Sequence, residues 1–125
     1  MQIKQFSEQT GLSIHTLRYY EKEGLLRPER DALGRRAYGS RDAEWVGFIL
    51  RLKEMGVPLA QIKEYARLRH QGEATVPARH ALLRAHRDVL LARQRELAAH
   101  QAFLESKLAL YEEMMGQGAA GRQAT

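Results

Sequence analysis

Cysteine is absent from the 125 residues. That absence removes disulfides, thiolate metal sites and cysteine nucleophiles together, and it fits a reducing compartment. Long apolar runs are missing as well. No stretch approaches the roughly 18–20 apolar residues needed to cross a bilayer, and the opening MQIKQFSEQTGL lacks the apolar stretch of a secretion signal. The expectation is a cytoplasmic chain with no membrane partner. Catalytic apparatus is equally scarce: there is no glycine-rich phosphate loop and no cluster of carboxylates. Ser13 and His15 are two apart on a helix and do not face each other. His80, His86 and His100 include no pair at i,i+4, so they make no one-face metal site within the chain. The chain therefore reads as a non-enzyme with no metal and no cofactor.

What is present is positive charge. Twenty Lys and Arg oppose fifteen Asp and Glu, for a net charge of +5 and a pI near 9.8. That balance favours a polyanionic partner. The N-terminal part is a series of short helices punctuated by glycine. Ile3 and Phe6 sit on a helix stopped by Gly11. Ser13 is a good N-cap for a second helix that carries Ile14 and Leu17 inward and ends at Gly24, before Pro28. Two short helices joined by a tight glycine-containing turn form the helix-turn-helix pattern. Residues 27–39, RPERDALGRRAYG, read as a basic loop or short hairpin. Ser40 is read as the N-cap of a third helix bearing Trp45, Phe48, Ile49, Leu52 and Met55. Residues 57–70 form a fourth, with Leu59, Ile62, Ala66 and Leu68 inward.

In a helix-turn-helix the second helix enters the major groove. Its candidate contacts are His15, Thr16, Arg18, Tyr19 and Tyr20. Arginine can fork onto guanine or grip a phosphate, and hydroxyls can bond phosphates or base edges. Adjacent helical residues point about 100° apart, so one of the two tyrosines belongs to the core. Arg35, Arg36 and Tyr38 of the loop are candidates for the flanking backbone or minor groove.

Residues 71–77 read as a linker. From Ala78 to about Met115 there is no glycine or proline, enough for one helix of roughly 55 Å. Leu83, Leu90, Leu97, Leu104 and Tyr111 recur every seven residues, one half of a heptad seam. His86, Arg93, His100 and Lys107 occupy the other half, which argues against a parallel zipper. No other helix in the chain is long enough to cover the stripe, so the expected partner is the same helix of a second subunit: a homodimer. Residues 116–125, small and polar, read as a disordered tail.

The string LSIHTLRYYEKEGLLRPERDALGRRAYG closely resembles the signature of the mercury-resistance regulator (MerR) family. Thr16-Leu17-Arg18-Tyr19-Tyr20-Glu21, Gly24-Leu25-Leu26, Pro28, Arg30, Gly34, Arg36 and Tyr38 all fall in order, and LKEMGVPLAQIKEY continues the likeness. The resemblance implies an all-α fold with a small β wing. Residues 1–70 would be a winged helix-turn-helix DNA-binding domain of four helices. Residues 78–115 would be a dimerisation helix in an antiparallel coiled coil, with Leu83 of one chain opposite the region of Lys107 and Leu108 in the other. It also implies a transcriptional regulator that binds an inverted-repeat promoter in double-stranded DNA as a homodimer. Such a regulator distorts the promoter spacer for RNA polymerase.

Within the family the sequence looks most like the aldehyde- and thiol-stress regulators. They carry a cysteine just before the LK…G segment, where this chain has Arg51, so a reactive-thiol mechanism is excluded. The effector is not legible. A small molecule would have to bind between the long helix and helices three and four, near Trp45, Tyr65 or Phe103, whose more ordinary role is core. The competing reading is a helical adaptor that binds another protein through the long amphipathic helix.

Overall fold

The computed structural model describes the backbone of residues 1–124 and side chains as far as Gly118. Helices α1 (Ile3–Thr10) and α2 (Ile14–Lys22) precede a two-stranded antiparallel hairpin, β1 (Glu29–Arg30) and β2 (Arg36–Ala37), in which Glu29 faces Ala37 and Arg30 faces Arg36. Helices α3 (Ser40–Glu54), α4 (Leu59–His70) and α5 (Val76–Ala124) follow, with a 3-10 turn over Glu73–Thr75. The expected all-α architecture with a small β wing is what forms.

Local chemistry sets the boundaries. Gly11 leaves α1 in the left-handed region at φ +76°, and its N–H returns to Ser7 O at 3.0 Å. Ser13 Oγ accepts the Thr16 N–H at 3.1 Å and opens α2. Past the end of α2, the N–H groups of Leu25 and Leu26 both return to Tyr20 O, at 2.8 and 3.2 Å. That closure turns two leucines straight back into the core. The wing tip is built by one carboxylate: Asp31 Oδ1 accepts the N–H of Leu33 and of Arg35, each at 2.9 Å. Those bonds, Arg35's first, hold the Asp31 carboxyl below the ordinary aspartate value.

Three boundaries depart from expectation. The N-cap of α3 is Gly39, not Ser40; its N–H donates to Asp42 Oδ2 at 2.9 Å, so the carboxylate of the first turn supplies the cap. Helix α5 begins at Val76, inside the segment read as a linker. Pro77 sits in its first turn, where a missing N–H leaves no bond unmade. The segment from residue 116, read as a disordered tail, continues α5 to Ala124. The helical bonds pass through Gly116 and Gly118, which weaken a helix without ending it. Thr125 and the side chains of 119–125 lie outside the described residues.

The chain divides into two units, residues 1–84 and 85–125. The first closes around Phe6, Leu17, Tyr20, Leu25, Leu26, Tyr38, Val46, Ile49 and Ile62, all at most 2% exposed. Burial of each such apolar side chain contributes about 1.5–3 kcal/mol. Phe6 stacks on Tyr38 at 4.5 Å between ring centres, joining α1 to the end of the wing. Trp45 Nε1 donates to Leu25 O, joining α3 to the exit of α2. Trp45 stacks on both Phe48 and Tyr65, and the Arg69 guanidinium lies 4.3 Å above the Trp45 ring. Trp45 is thus a core residue. Phe103, in the second unit, is 69% exposed and is not.

A basic cleft between recognition helix and wing

Helix α2 is anchored by Leu17 and Tyr20, one turn apart and both buried, so its opposite side is fixed by the 3.6-residue repeat. His15, Arg18, Tyr19 and Lys22 lie there in solvent, and Thr16 is half-buried. Arg18 and Lys22, four apart, share one stripe. Thr16 Oγ1 receives a hydrogen bond from Ser13 Oγ at 2.9 Å, so its side chain is fixed at the helix start.

The wing stands beside this face. Between α2, the turn after it and the hairpin lies an open cleft of about 800 Å³. Arg18 and Lys22 line it from the helix, Arg27 and Arg30 from the turn and β1, and Arg35 and Arg36 from the second half of the hairpin. Glu21 is the one carboxylate. Six cations against one anion in a concave surface make a strong local positive field, the footprint expected for a polyanion.

Glu21 is not wasted charge. Its Oε2 accepts from Arg36 Nε and its Oε1 accepts from the Tyr38 hydroxyl. One carboxylate on α2 therefore holds two residues of the wing, and the helix and hairpin are presented as one piece. Burial and the Glu21 bond together push the Tyr38 phenol well above its usual range, so it remains a donor at every physiological pH. Arg35 pairs with Asp31 at 3.1 Å, and Arg30 Nη1 donates to Gly34 O at 3.1 Å, both stiffening the hairpin tip. On the far side of α2, Lys63 of α4 pairs with Glu23. This contact lowers the Glu23 carboxyl and raises the Lys63 ammonium from their ordinary values.

Two of the eight candidate contacts are corrected. Tyr20 is 2% exposed and Tyr38 1% exposed; both rings are packed in the core and cannot enter a groove. The expectation that one of the paired tyrosines is structural resolves in favour of Tyr20, with Tyr19 43% exposed. Tyr38 was read outward because it follows two arginines in a loop; its partner Phe6 is 32 positions away, beyond the reach of local pattern. Sequence reasoning also passed over Lys22, Arg27 and Arg30 as cleft residues and Glu21 as the tie. The i,i+4 spacing of Arg18 and Lys22 was a signal available for the first.

In the second unit, which is a helix from Ala85 onward, the heptad residues are open to solvent. Leu97, Leu104 and Tyr111 are 67%, 60% and 51% exposed, and Leu90 is half-buried; Leu83, just before the boundary, is 38% exposed. Val89, Phe103, Leu108 and Met115 extend the apolar exposure. Among the described residues no three His, Asp or Glu side chains are grouped as a metal site, and no helix is long and apolar enough to cross a membrane.

A helix-turn-helix whose second helix shares a cationic cleft with a β-hairpin defines the winged helix-turn-helix class of regulatory domain. The model of the MerR helix-turn-helix regulatory protein family matches residues 1–68, and a second family model, the MerR DNA-binding region, matches residues 43–107. The chain belongs to the MerR family. It is 34% identical to an HTH-type transcriptional regulator of Haemophilus influenzae over 90% of this chain and 84% of that one. It is 38% identical to the HTH-type transcriptional regulator AdhR of Bacillus subtilis, over 73% of this chain and 66% of that one. Among solved structures it resembles HiNmlR, described as a MerR family regulator lacking the sensor domain and bound to promoter DNA. The TM-score is 0.70 at 32% identity, covering 94% of each chain. These relatives are transcriptional regulators; the comparisons give no support to a reading as a protein-binding adaptor.

Proposed function

We propose that this chain is a sequence-specific transcriptional regulator that binds an inverted-repeat promoter as a homodimer. The observation that carries the reading is the cleft in which six cationic residues meet an exposed recognition face. His15, Thr16, Arg18 and Tyr19 would meet base edges and phosphates of the major groove. Lys22, Arg27, Arg30, Arg35 and Arg36 would grip the flanking backbone. Similarity to a regulator solved on promoter DNA supports it. Leu83, Leu90, Leu97, Leu104 and Tyr111 would form the dimer seam, since a row of exposed leucines on a helix gains only by covering itself.

Two such units on one dimer axis require half-sites related by the same axis. Bending or untwisting the duplex between them costs on the order of 1–6 kcal/mol, offset by added backbone contacts. That is how the dimer would present a distorted spacer to RNA polymerase. Such a protein works where the DNA is, in the cytoplasm.

The test is a titration of the full chain against the inverted repeat upstream of its own coding region and against a scrambled duplex, at several salt concentrations. Specific binding is expected to exceed binding to the scrambled duplex by about 10³-fold or more. It should weaken steeply with salt as counterions are released. Equal affinity for both duplexes would sink the proposal.

A further inference from the structure

A second cleft lies behind the recognition helix, on the side away from the wing. Tyr19 and Tyr20 of α2, Ile49 and Lys53 of α3, and Leu59 and Ile62 of α4 enclose about 240 Å³. Its walls are aliphatic and aromatic, with one cation. Lys53 Nζ stands 5.7 Å from the centre of the Tyr20 ring and 3.5 Å from the Tyr20 hydroxyl. Among the described residues no carboxylate lies within 4 Å of it, although the neighbouring Glu54 is paired with Arg51. An ammonium at the edge of an apolar cleft, beside a phenol and with no carboxylate in salt-bridge range among the described residues, is placed to receive an anionic headgroup.

We propose that this cleft binds a small apolar monocarboxylate, with its carboxylate on Lys53 and the Tyr20 hydroxyl and its hydrocarbon against Ile49 and Ile62. Size decides against larger ligands. At about 30 Å³ per water-sized group, the volume takes on the order of eight non-hydrogen atoms, below the range of drug-sized pockets. Charge decides the headgroup: a single ammonium and a phenol satisfy a carboxylate, whereas a phosphate needs more donors and an amine is repelled.

The site also has a route to function, which rests on the regulatory reading above. Tyr19 forms one wall of the cleft and is at the same time an exposed residue of the recognition face. Across the same seam, α4 is tied to the end of α2 by the Lys63–Glu23 pair. A ligand seated between α2 and α4 must set the Tyr19 side chain, and so the face offered to DNA. The cleft would then be the effector site of a regulator with no thiol to react.

The test uses the full chain with benzoate and hexanoate as probes and benzylamine and benzyl alcohol as controls, read by calorimetry and by chemical-shift change. The carboxylates are expected to bind with Kd on the order of 1 mM or tighter, and the amine not at all. Lys53→Met, which keeps the stem and removes the charge, should weaken carboxylate binding about tenfold or more. Leu59→Trp, at the exposed mouth, should block it. Circular dichroism is the control that both variants are folded. Absence of carboxylate binding, equal binding of the alcohol, or unchanged binding in Lys53→Met overturns the site. In a second arm, benzoate should change operator affinity by about threefold or more in the wild type and not in Lys53→Met; no change overturns the effector role. The first arm contains no DNA, so a chain that ignores its operator would defeat the regulatory reading and leave the cleft standing.

Discussion

Residues 1–84 and residues 85–125 have comparable access to apolar side chains and use them in opposite ways. In the first unit Phe6, Leu17, Val46 and Ile49 are fully buried within a single chain. In the second, Leu97, Leu104, Phe103 and Met115 are each at least 60% exposed. Four short helices and a hairpin can surround a centre; one helix of roughly 60 Å cannot surround anything. The first unit therefore completes its own core, and the second leaves its apolar row exposed. Charge follows the same division. The first unit sets six of its cations around one cleft, where Glu21 holds Arg36, while the second spreads its charges along a rod.

The sharpest way to break this comparison is to remove one aromatic from each unit. Phe6→Ala should cost residues 1–84 about 3–5 kcal/mol, because it deletes a buried ring and strips the partner face of Tyr38. Phe103→Ala, measured where the chain is monomeric, should change stability by less than about 0.5 kcal/mol. Denaturant melts of the two variants decide the matter, and equal losses would mean that the second unit has a core of its own.

Next in size is the seam. Leu97→Glu places a charge on each side of a dimer axis and removes apolar contacts worth roughly 3 kcal/mol or more in total. The proposed dimer should therefore weaken by about 100-fold or more by sedimentation, with the melt of residues 1–84 unchanged. An intact dimer would contradict the seam.

Smaller effects sharpen the recognition face. Arg18→Ala should weaken operator binding by about 10–100-fold and flatten its salt dependence by about one counterion if the side chain grips a phosphate. Tyr20→Phe, one buried hydroxyl away from wild type, should change operator affinity by less than about threefold. If the tyrosine variant had the larger effect in anisotropy titrations, the outward and inward faces of α2 would be misassigned.

The smallest effect is a pH slope. Burial, then the nearby Arg27, lowers His70 from its usual 6.5, and its Nε2 has no hydrogen-bond partner. A histidine depressed on folding takes up its proton more readily when unfolded. The stability this group contributes is whole above about pH 6.5 and is lost as the pH falls from there toward its lowered folded value. His70→Gln should flatten that part of the stability–pH curve in urea melts.

Much of this was legible in the residue order. Ser13, Gly11 and Gly24 mark caps and stops by their own conformational chemistry. Leu17, Ile49 and Ile62 declare buried faces by a repeat of 3.6, and the arginines after Pro28 declare a basic loop. The recognition face was partly legible: the neighbours Tyr19 and Tyr20 could not both face one way, yet nothing local said which of them was buried. Tyr38 was misread, and Glu21 was missed as a structural tie, for a common reason. Their contacts, Phe6 with Tyr38 and Glu21 with Arg36 and Tyr38, join positions 15 to 32 apart.

Composition, caps and periodicity are properties of neighbours along the chain, so the amino-acid order by itself determined the helices, the net positive charge and the membership in the MerR family. Which tyrosine is exposed, how the wing is locked to the recognition helix, and that a small apolar cleft opens behind it beside a lysine with no carboxylate partner among the described residues were decided only by tertiary structure. Those features depend on which distant side chains meet once the core closes, and a contact between distant residues leaves no periodic trace in the sequence.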